Sequence, residues 1–333
     1  MNQLKKTNQL NQLSQPNPFN QNKLTELEHL TICYQRGLLT TPKEQQHFFW
    51  LQSGGVGEDR LVALLTKHLP NNWHILRNVW LEINGNRTEV DTLIIAPKFW
   101  WAVEVKNYNG KFEYRNQICY LNQQHFPDKI APCRNRQRIL KLIAAKLPYD
   151  IPEIDCSLVF IDERCQVESD PLDDIQLVMN YQLPWHIDNQ LQRHRELNHT
   201  ISQKDSLATL ANYTIDNPFQ PKVLSLTAFD DATKGIRCIA CNRYNIKVQQ
   251  YNVTCHDCSH TITKTEAVLQ AAGELGTLFY TQPRIITTHN LYEFIGGKIS
   301  KKGIRSILKT NVRKYGSKRY TYYENPGFPY QNS

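Results

Sequence analysis

Two neighbouring apolar segments carry charge where a core strand should have none. Thr88 to Asn107 reads T-E-V-D-T-L-I-I-A-P-K-F-W-W-A-V-E-V-K-N. Val90, Leu93, Ile94 and Ile95 mark a buried strand, yet Asp91 sits among them. Pro97-Lys98 turns the chain into a second strand, Trp100–Lys106. Side chains alternate across a strand. Trp101, Val103 and Val105 therefore share one face, and Glu104 and Lys106 share the other. Burying charge is expensive unless it is paired or bound to a metal. An E-x-K strand end beside an Asp on the preceding strand is a way to build a divalent-metal site.

The flanking segments supply a frame for these strands. Trp73–Ile83 reads as a strand, and Asn84-Gly85 as a two-residue hairpin turn into the strand of Asp91. Upstream, Thr41-Pro42 opens a helix that Gly54, Gly55 and Gly57 interrupt. A second helix follows from Gly57 to His68, with Leu61, Val62, Leu65 and Leu69 as its apolar stripe. Glu58 precedes Leu61 and Val62 by three and four positions, which puts it on the core-facing side. A glutamate in the first turn also favours the helix dipole, but Asp91 and the E-x-K strand favour a site. Phe112–Tyr114 and Ile118–Leu121 read as a further hairpin. Pro132–Leu147 reads as a helix with Ile139, Leu140, Ile143 and Leu147 inward. Gln137, one turn before Leu140, either leans toward the acids or lies solvated on the helix flank. Leu158–Ile161 reads as a strand parallel to the sheet after this crossover, Ile175–Met179 as an edge strand, and Tyr181–Tyr213 as polar and helical. This order implies an α/β (α+β) fold, a mixed central sheet flanked by helices.

Asp91, twelve residues and then Glu104-Val105-Lys106 resembles the core of the PD-(D/E)xK nuclease superfamily. Gly57-Glu58 at a helix start, Glu89-Val90-Asp91, and Asn107 followed by Gly110 resemble its nuclease-related branch, NERD. The resemblance covers roughly residues 45–160. It implies a restriction-endonuclease-like fold and a catalytic set of Glu58, Asp91, Glu104 and Lys106. Gln137 stands where related nucleases often place a glutamine on the crossover helix. It further implies Mg²⁺ or Mn²⁺ held by Asp91 and Glu104 through oxygen ligands, with Glu58 completing that site or a second one.

Cys238-x2-Cys241, thirteen residues, then Cys255-x2-Cys258 is a second chemical signal. Each pair supplies two thiolates, and four satisfy tetrahedral zinc with no open position. Ile246, Val248 and Tyr251 alternate between the knuckles, as in a zinc ribbon with one structural Zn²⁺. His256 and His260 are the alternative ligands. Downstream, Thr265–Leu278, Asn290–Ile295 and Lys301–Asn311 read as helices, the last with Ser300 as N-cap. A strand-like stretch, Val312–Tyr323, follows. This order resembles a winged helix-turn-helix. Lys301, Lys302, Arg305, Lys309, Arg313, Lys314, Lys318 and Arg319 fall on its third helix and wing, with no acid from Lys298 to Tyr320. A basic run is often only a solvated face. Here its placement favours phosphate contact.

Net charge is +8, and no apolar run is long enough to span a membrane. No secretory signal follows Lys5 and Lys6. Nine cysteines, four of them in paired knuckles, indicate a reduced, cytoplasmic protein. The expected layout is an Asn/Gln-rich disordered tail (1–40), a nuclease-like domain (41–213), a linker (214–235), a zinc ribbon (236–262) and a winged-helix-like basic domain (263–328). The expected function is Mg-dependent cleavage of DNA, delivered by the C-terminal module. The alternatives are a non-cleaving DNA-binding protein on the same fold and, third, a platform for protein partners.

Overall fold

Asn84 and Gly85 both adopt positive φ, 52° and 75°, as a two-residue hairpin turn requires. They join β1 (His74–Ile83) to β2 (Asn86–Ile95) in a computed structural model that describes residues 25–148, 151–198 and 200–327. The chain divides into two compact units, Leu51–Pro218 and Leu24–Trp50 with Phe219–Ser333. The division after Pro218 falls inside the expected linker. Residues 24–50 do not follow expectation, because they group with the C-terminal unit. The N-terminal part of the expected tail lies outside the described residues. The rest contains α1 (Glu26–Gln35), started by a reciprocal Thr25–Glu28 capping box.

A second difference is α2 (Pro42–His68), one 27-residue helix where the glycines predict two. Glycine costs a helix only about 1 kcal/mol, and here one glycine serves packing. A Cβ on Gly57 would lie 3.0 Å from Asn107 Cβ and 3.2 Å from an Ile161 methyl.

In the first unit, β3 (Phe99–Lys106) follows β2. Beyond it come β4 (Gly110–Arg115), β5 (Ile118–Leu121), β6 (Gln124–Phe126), α3 (Ile130–Ala144) and β7 (Glu153–Phe160). The chain continues through β8 (Cys165–Ser169), β9 (Gln176–Met179), α4 (Leu183–Glu196) and α5 (Gln203–Tyr213). The main sheet has the order β1-β2-β3-β7-β9. Its first three strands are antiparallel, and β7 and β9 add in parallel. β9 is the edge strand the sequence predicts. One face buries Leu93, Trp100 and Ala102 against Ile139, Leu140 and Ile143 of α3 and Leu210 of α5. The other buries Trp101 and Val103 against Leu61 and Leu65 of α2 and Leu183 and Ile187 of α4. A smaller sheet, β6-β5-β4-β8, contains the expected hairpin and two strands, β6 and β8, without a sequence forecast. Gly110 opens that sheet at φ +105°, and a Cβ there would fall 2.0 Å from Asn122 Oδ1. That oxygen accepts from the Lys111 amide.

The second unit adds α6 (Thr227–Asp231), β10 (Ile246–Val248), β11 (Asn252–Cys255), β12 (Thr261–Thr263), α7 (Lys264–Leu278), α8 (Thr288–Phe294), α9 (Lys301–Asn311), β13 (Lys314–Tyr315) and β14 (Tyr322–Tyr323). Every residue of α7 from Ala267 to Leu278 is buried, the mark of a helix enclosed on all sides. One core joins it to Ile32 and Cys33 of α1, Val253 of β11, Leu291 and Phe294 of α8, and Ile304 and Leu308 of α9. The ribbon and the basic segment therefore share a core, where the sequence suggests separate domains at 236–262 and 263–328. No helix among the described residues is long and apolar enough to cross a membrane.

Candidate active site and zinc-ligand cluster

The β2–β3 ladder has Thr92 paired with Val103 as its pair nearest the acids. Beyond it, a side chain takes over from the backbone: the Val105 amide donates to Asp91 Oδ2 at 3.2 Å. The strands separate at this point, and Asp91, Glu104 and Lys106 occupy the opening, each partly buried. Lys106 Nζ donates to Glu104 Oε1 in a short contact. Arg136, on α3, faces Glu104 Oε2 at 2.6 Å, and its Nε donates to the Glu89 carbonyl at 2.6 Å. One carboxylate thus bridges two cations.

The charges respond to this arrangement. Burial and the nearby Glu104 charge push the Asp91 carboxyl well above the ordinary aspartate range, against Lys106 and Arg136. Burial also works to raise Glu104, but Arg136, Lys106 and hydrogen bonds from Lys106 and Asp91 hold it low. Burial raises Glu58 as well; Arg77 and Lys106 oppose that rise, and Glu104 adds to it. Burial, then Glu58 and Glu104, lift Glu89 to about 7. Such carboxyls bind protons more tightly folded than unfolded. Their contribution to stability is complete below the unfolded pKa and is lost as pH rises, through about 7 for Glu89. Lys106 goes the other way from a desolvated lysine. Burial lowers it, but Glu104 and Asp91 outweigh burial and keep it charged.

Four of the five expected catalytic residues thus lie in one electrostatic neighbourhood, and Gln137 does not join it. Its Nε2 donates to the Ile154 carbonyl at 3.2 Å, and with Arg134, Arg138 and Asp174 it lines a different depression. The reason is helical phase. Arg136 precedes Ile139 and Leu140 by three and four positions and shares their inward stripe, and it is 6% exposed. Gln137 is turned about 100° away. Sequence reading missed Arg136 and Glu89, although period alone marks both: Glu89 stands two residues before Asp91 on the same strand face.

The donor set is hard oxygen, which suits Mg²⁺ or Mn²⁺. Asp91 and Glu104 could supply oxygen ligands to such an ion, and Glu58 and Glu89 add negative charge to the same neighbourhood. Among the described residues, only Cys238, Cys241, Cys255 and Cys258 form a group of three or more metal-ligand side chains whose ligand atoms all lie within 4.8 Å of one another. The acids therefore do not form a closed trio in this arrangement.

The cysteine cluster is built twice over. The Asn242 amide donates to the Cys238 carbonyl, and the Ser259 amide to the Cys255 carbonyl, both at 2.9 Å. The Cys238 amide donates to the Arg243 carbonyl at 2.8 Å, and the Cys255 amide to the His260 carbonyl at 2.9 Å. Asn242 and Ser259 each close a knuckle in the left-handed region, at φ 62° and 61°. Cys238 and Cys258 Sγ lie 3.6 Å apart, as do Cys241 and Cys255. Zn–S bonds of about 2.3 Å in a tetrahedron place sulfurs about 3.8 Å apart, so the four fit zinc. His256 and His260 lie outside the group. Burial pushes the Cys255 thiol up, but the Cys258 and Asp257 amides outweigh it and bring it to about 7. The full chain is expected to carry about one zinc, and chelation is expected to unfold the second unit, because metal binding and folding are coupled. Metal analysis together with circular dichroism before and after chelator checks this. Protein without zinc, or an unchanged spectrum, would refute it.

The eight basic residues are all exposed, while Ile304 and Leu308 of α9 point into the core. Lys301, Lys302, Arg305 and Lys309 occupy α9. Arg313 and Lys314 lead into and start β13, and Lys318 and Arg319 lie in the turn before β14.

Residues 53–161 match the family model of the nuclease-related domain. Neither the curated proteins nor the solved structures contain a match to the chain. The matched span begins within α2, ends after β7, and contains every acid of the site. Residues 53–161 of this chain are a nuclease-related domain, NERD.

Proposed function

We propose that the NERD domain hydrolyses phosphodiester bonds of DNA with a divalent cation, Mg²⁺ or Mn²⁺. The observation that carries this reading is the contact of Glu104 with Lys106 on one strand face, with Asp91 bonded across the opened strands. Asp91 and Glu104 would hold the cation, and Glu58 would complete its charge balance. When bound, the cation polarises a phosphate oxygen and acidifies a water. Lys106, kept charged by its neighbours, orients that water and stabilises charge developing on the phosphate. The proton that water gives up passes to solvent, not to Lys106. Arg136 positions Glu104 from behind. Cleavage of defined DNA with Mg²⁺ or Mn²⁺, beside a Lys106→Ala control, is the test. Loss of cleavage in the variant with the cation still bound is expected. Equal activity of the two proteins would overturn the assignment, as would no activity in either.

A second reading, a DNA-binding protein that does not cut, is favoured by one observation. Arg136 engages Glu104 Oε2, an oxygen that cation binding would otherwise use. The same assay separates the two.

In the second unit, α8, α9 and the β13–β14 hairpin have the order of a winged helix-turn-helix. The zinc-bearing sheet and this module bring the enzyme to DNA through phosphate contacts. Nine cysteines, four of them in two C-x-x-C pairs, support a reducing, cytoplasmic setting. Replacing Lys301, Lys302, Arg305 and Lys309 together is expected to weaken DNA binding and to reduce the log–log salt slope by about 4. Binding measured across a salt series checks it, and an unchanged slope would make the run a solvated face only.

A further inference from the structure

Tyr315 and Tyr322 are cross-strand partners in the β13–β14 hairpin. Their rings stack at 5.2 Å with 16° between planes. Arg313 lies over the Tyr315 ring at 5.3 Å, and Arg284 over the Tyr322 ring at 5.8 Å. The order in space is cation, ring, ring, cation. Both arginines are exposed, and both tyrosines are partly open. The two rings also line a cavity of 360 Å³ with Tyr280, Pro283, Tyr323 and Glu324. The hairpin that presents them is tightly set. Gly316 turns at φ +67°, and a Cβ there would fall 2.3 Å from the Tyr320 carbonyl oxygen. The Tyr323 amide donates to the Ile286 carbonyl at 2.9 Å, which fixes the hairpin against the chain ahead of α8.

We infer that this cavity is a binding site for an unpaired nucleobase, with Tyr315 and Tyr322 as the stacking platform: the exposed Arg284 and Arg313, which cover the rings in the free protein, swing off them onto the adjoining phosphates, and the base takes the ring face they leave. Aromatic faces take any base, and cations beside them follow the backbone, which is how single strands are held without sequence preference. A paired base inside a duplex cannot reach a concave pocket without leaving its stack. The cavity is roomy for one base and carries a single acid, Glu324, among its lining residues. A free anion would meet that carboxylate, whereas a base meets the tyrosine rings together with Pro283, Ile285 and Ile286. The inference rests on the nucleic-acid reading of the second unit and refines it. The duplex meets the basic helix α9, and an unpaired end or flap meets the tyrosines.

The test uses the full chain and labelled oligo(dT), oligo(rU) and a blunt duplex, with affinity read by fluorescence anisotropy at fixed salt. Tyr322→Ala and Tyr315→Ala are expected to weaken single-strand binding about tenfold and to leave duplex affinity unchanged. Tyr322→Phe is expected to restore the affinity, since stacking needs the ring and not the hydroxyl. Circular dichroism establishes that each variant is folded. As a measurement independent of mutation, a bromodeoxyuridine oligonucleotide is expected to crosslink at Tyr315 or Tyr322. The tighter of oligo(dT) and oligo(rU) identifies the strand held. Wild-type binding of duplex but not of single strands would overturn the pocket while sparing the nucleic-acid reading. Binding of neither would overturn both. Equal losses for single strand and duplex, or crosslinks elsewhere, would also overturn the pocket.

Discussion

Asp91→Asn and Glu104→Ala are both expected to abolish cation-dependent cleavage, yet only Glu104→Ala should destabilise the first unit, by about 3 kcal/mol. The difference comes from the partners. Glu104 stands between Lys106 and Arg136, whose side chains are 20% and 8% exposed. Its removal takes from two largely buried cations the carboxylate that bridges them. Asp91 is the member of the pair whose carboxyl is raised, so its charge is the less favoured of the two. Asparagine keeps an oxygen for the Val105 amide and adds no charge. Its cost should stay within about 1 kcal/mol. Urea unfolding followed by Trp fluorescence reports mainly on this unit, since Trp73, Trp80, Trp100, Trp101 and Trp185 all lie in it. Equal destabilisation by the two variants would contradict the charge assignment. A fully active Asp91→Asn enzyme would remove Asp91 from the chemistry.

Glu274→Ala should cost the second unit about 3–5 kcal/mol, enough to unfold a marginally stable unit. Glu274 is fully buried in the middle of the enclosed helix α7. Its Oε1 accepts from Arg237 Nε at 2.9 Å, from Arg237 NH2 at 2.6 Å and from Gln270 Nε2 at 2.9 Å. Its Oε2 accepts from Arg36 Nε at 3.0 Å and closely from Arg36 NH2. Burial alone would raise this carboxyl, but Arg36 and Arg237 outweigh it and hold it below the usual range. The pairing therefore stabilises the fold above the unfolded glutamate pKa and fades as pH falls through the folded one. Arg36 also donates to the Thr233 and Gly235 carbonyls, at 2.9 and 3.0 Å, and lies 4.0 Å over the Phe294 ring. The network ties α1, the approach to the first cysteine knuckle, and α7 and α8 together. Zinc loss from Glu274→Ala on mild heating, compared with wild type, measures the effect. A variant that keeps its zinc and melts within a few degrees of wild type would show that the network is not required for stability.

The residues that an element's own period governs were legible in the sequence. Alternation in Trp100–Lys106 placed Glu104 and Lys106 on one face, and Asn84-Gly85 marked the hairpin that brings Asp91 alongside. The two cysteine pairs carried their own spacing, and four thiolates within reach of one zinc followed from it. Local chemistry suffices in each case, because a strand's pleat, a two-residue turn and a tight knuckle are decided by residues close in sequence. Gln137 shows the limit. A helix position read one residue out of phase points a quarter-turn away, and the inward place belonged to Arg136.

Tertiary structure alone decided the partnerships across long separations. Arg36 and Glu274 lie 238 residues apart, and no pattern in either segment announces the other. Residues up to 40 read as tail and 41–50 as the opening of the nuclease-like domain, yet Ile32 and Cys33 are buried in one core with α7, which is apolar on every side. The glycines of α2 read as a break, but the helix runs on because Gly57 lets it approach Asn107 and Ile161. The charge states of the site were likewise undecided by sequence. A lysine on a buried strand face is expected to lose its proton. Lys106 keeps its own because the fold sets Glu104 and Asp91 beside it, and the attraction of two close carboxylates exceeds the cost of leaving water.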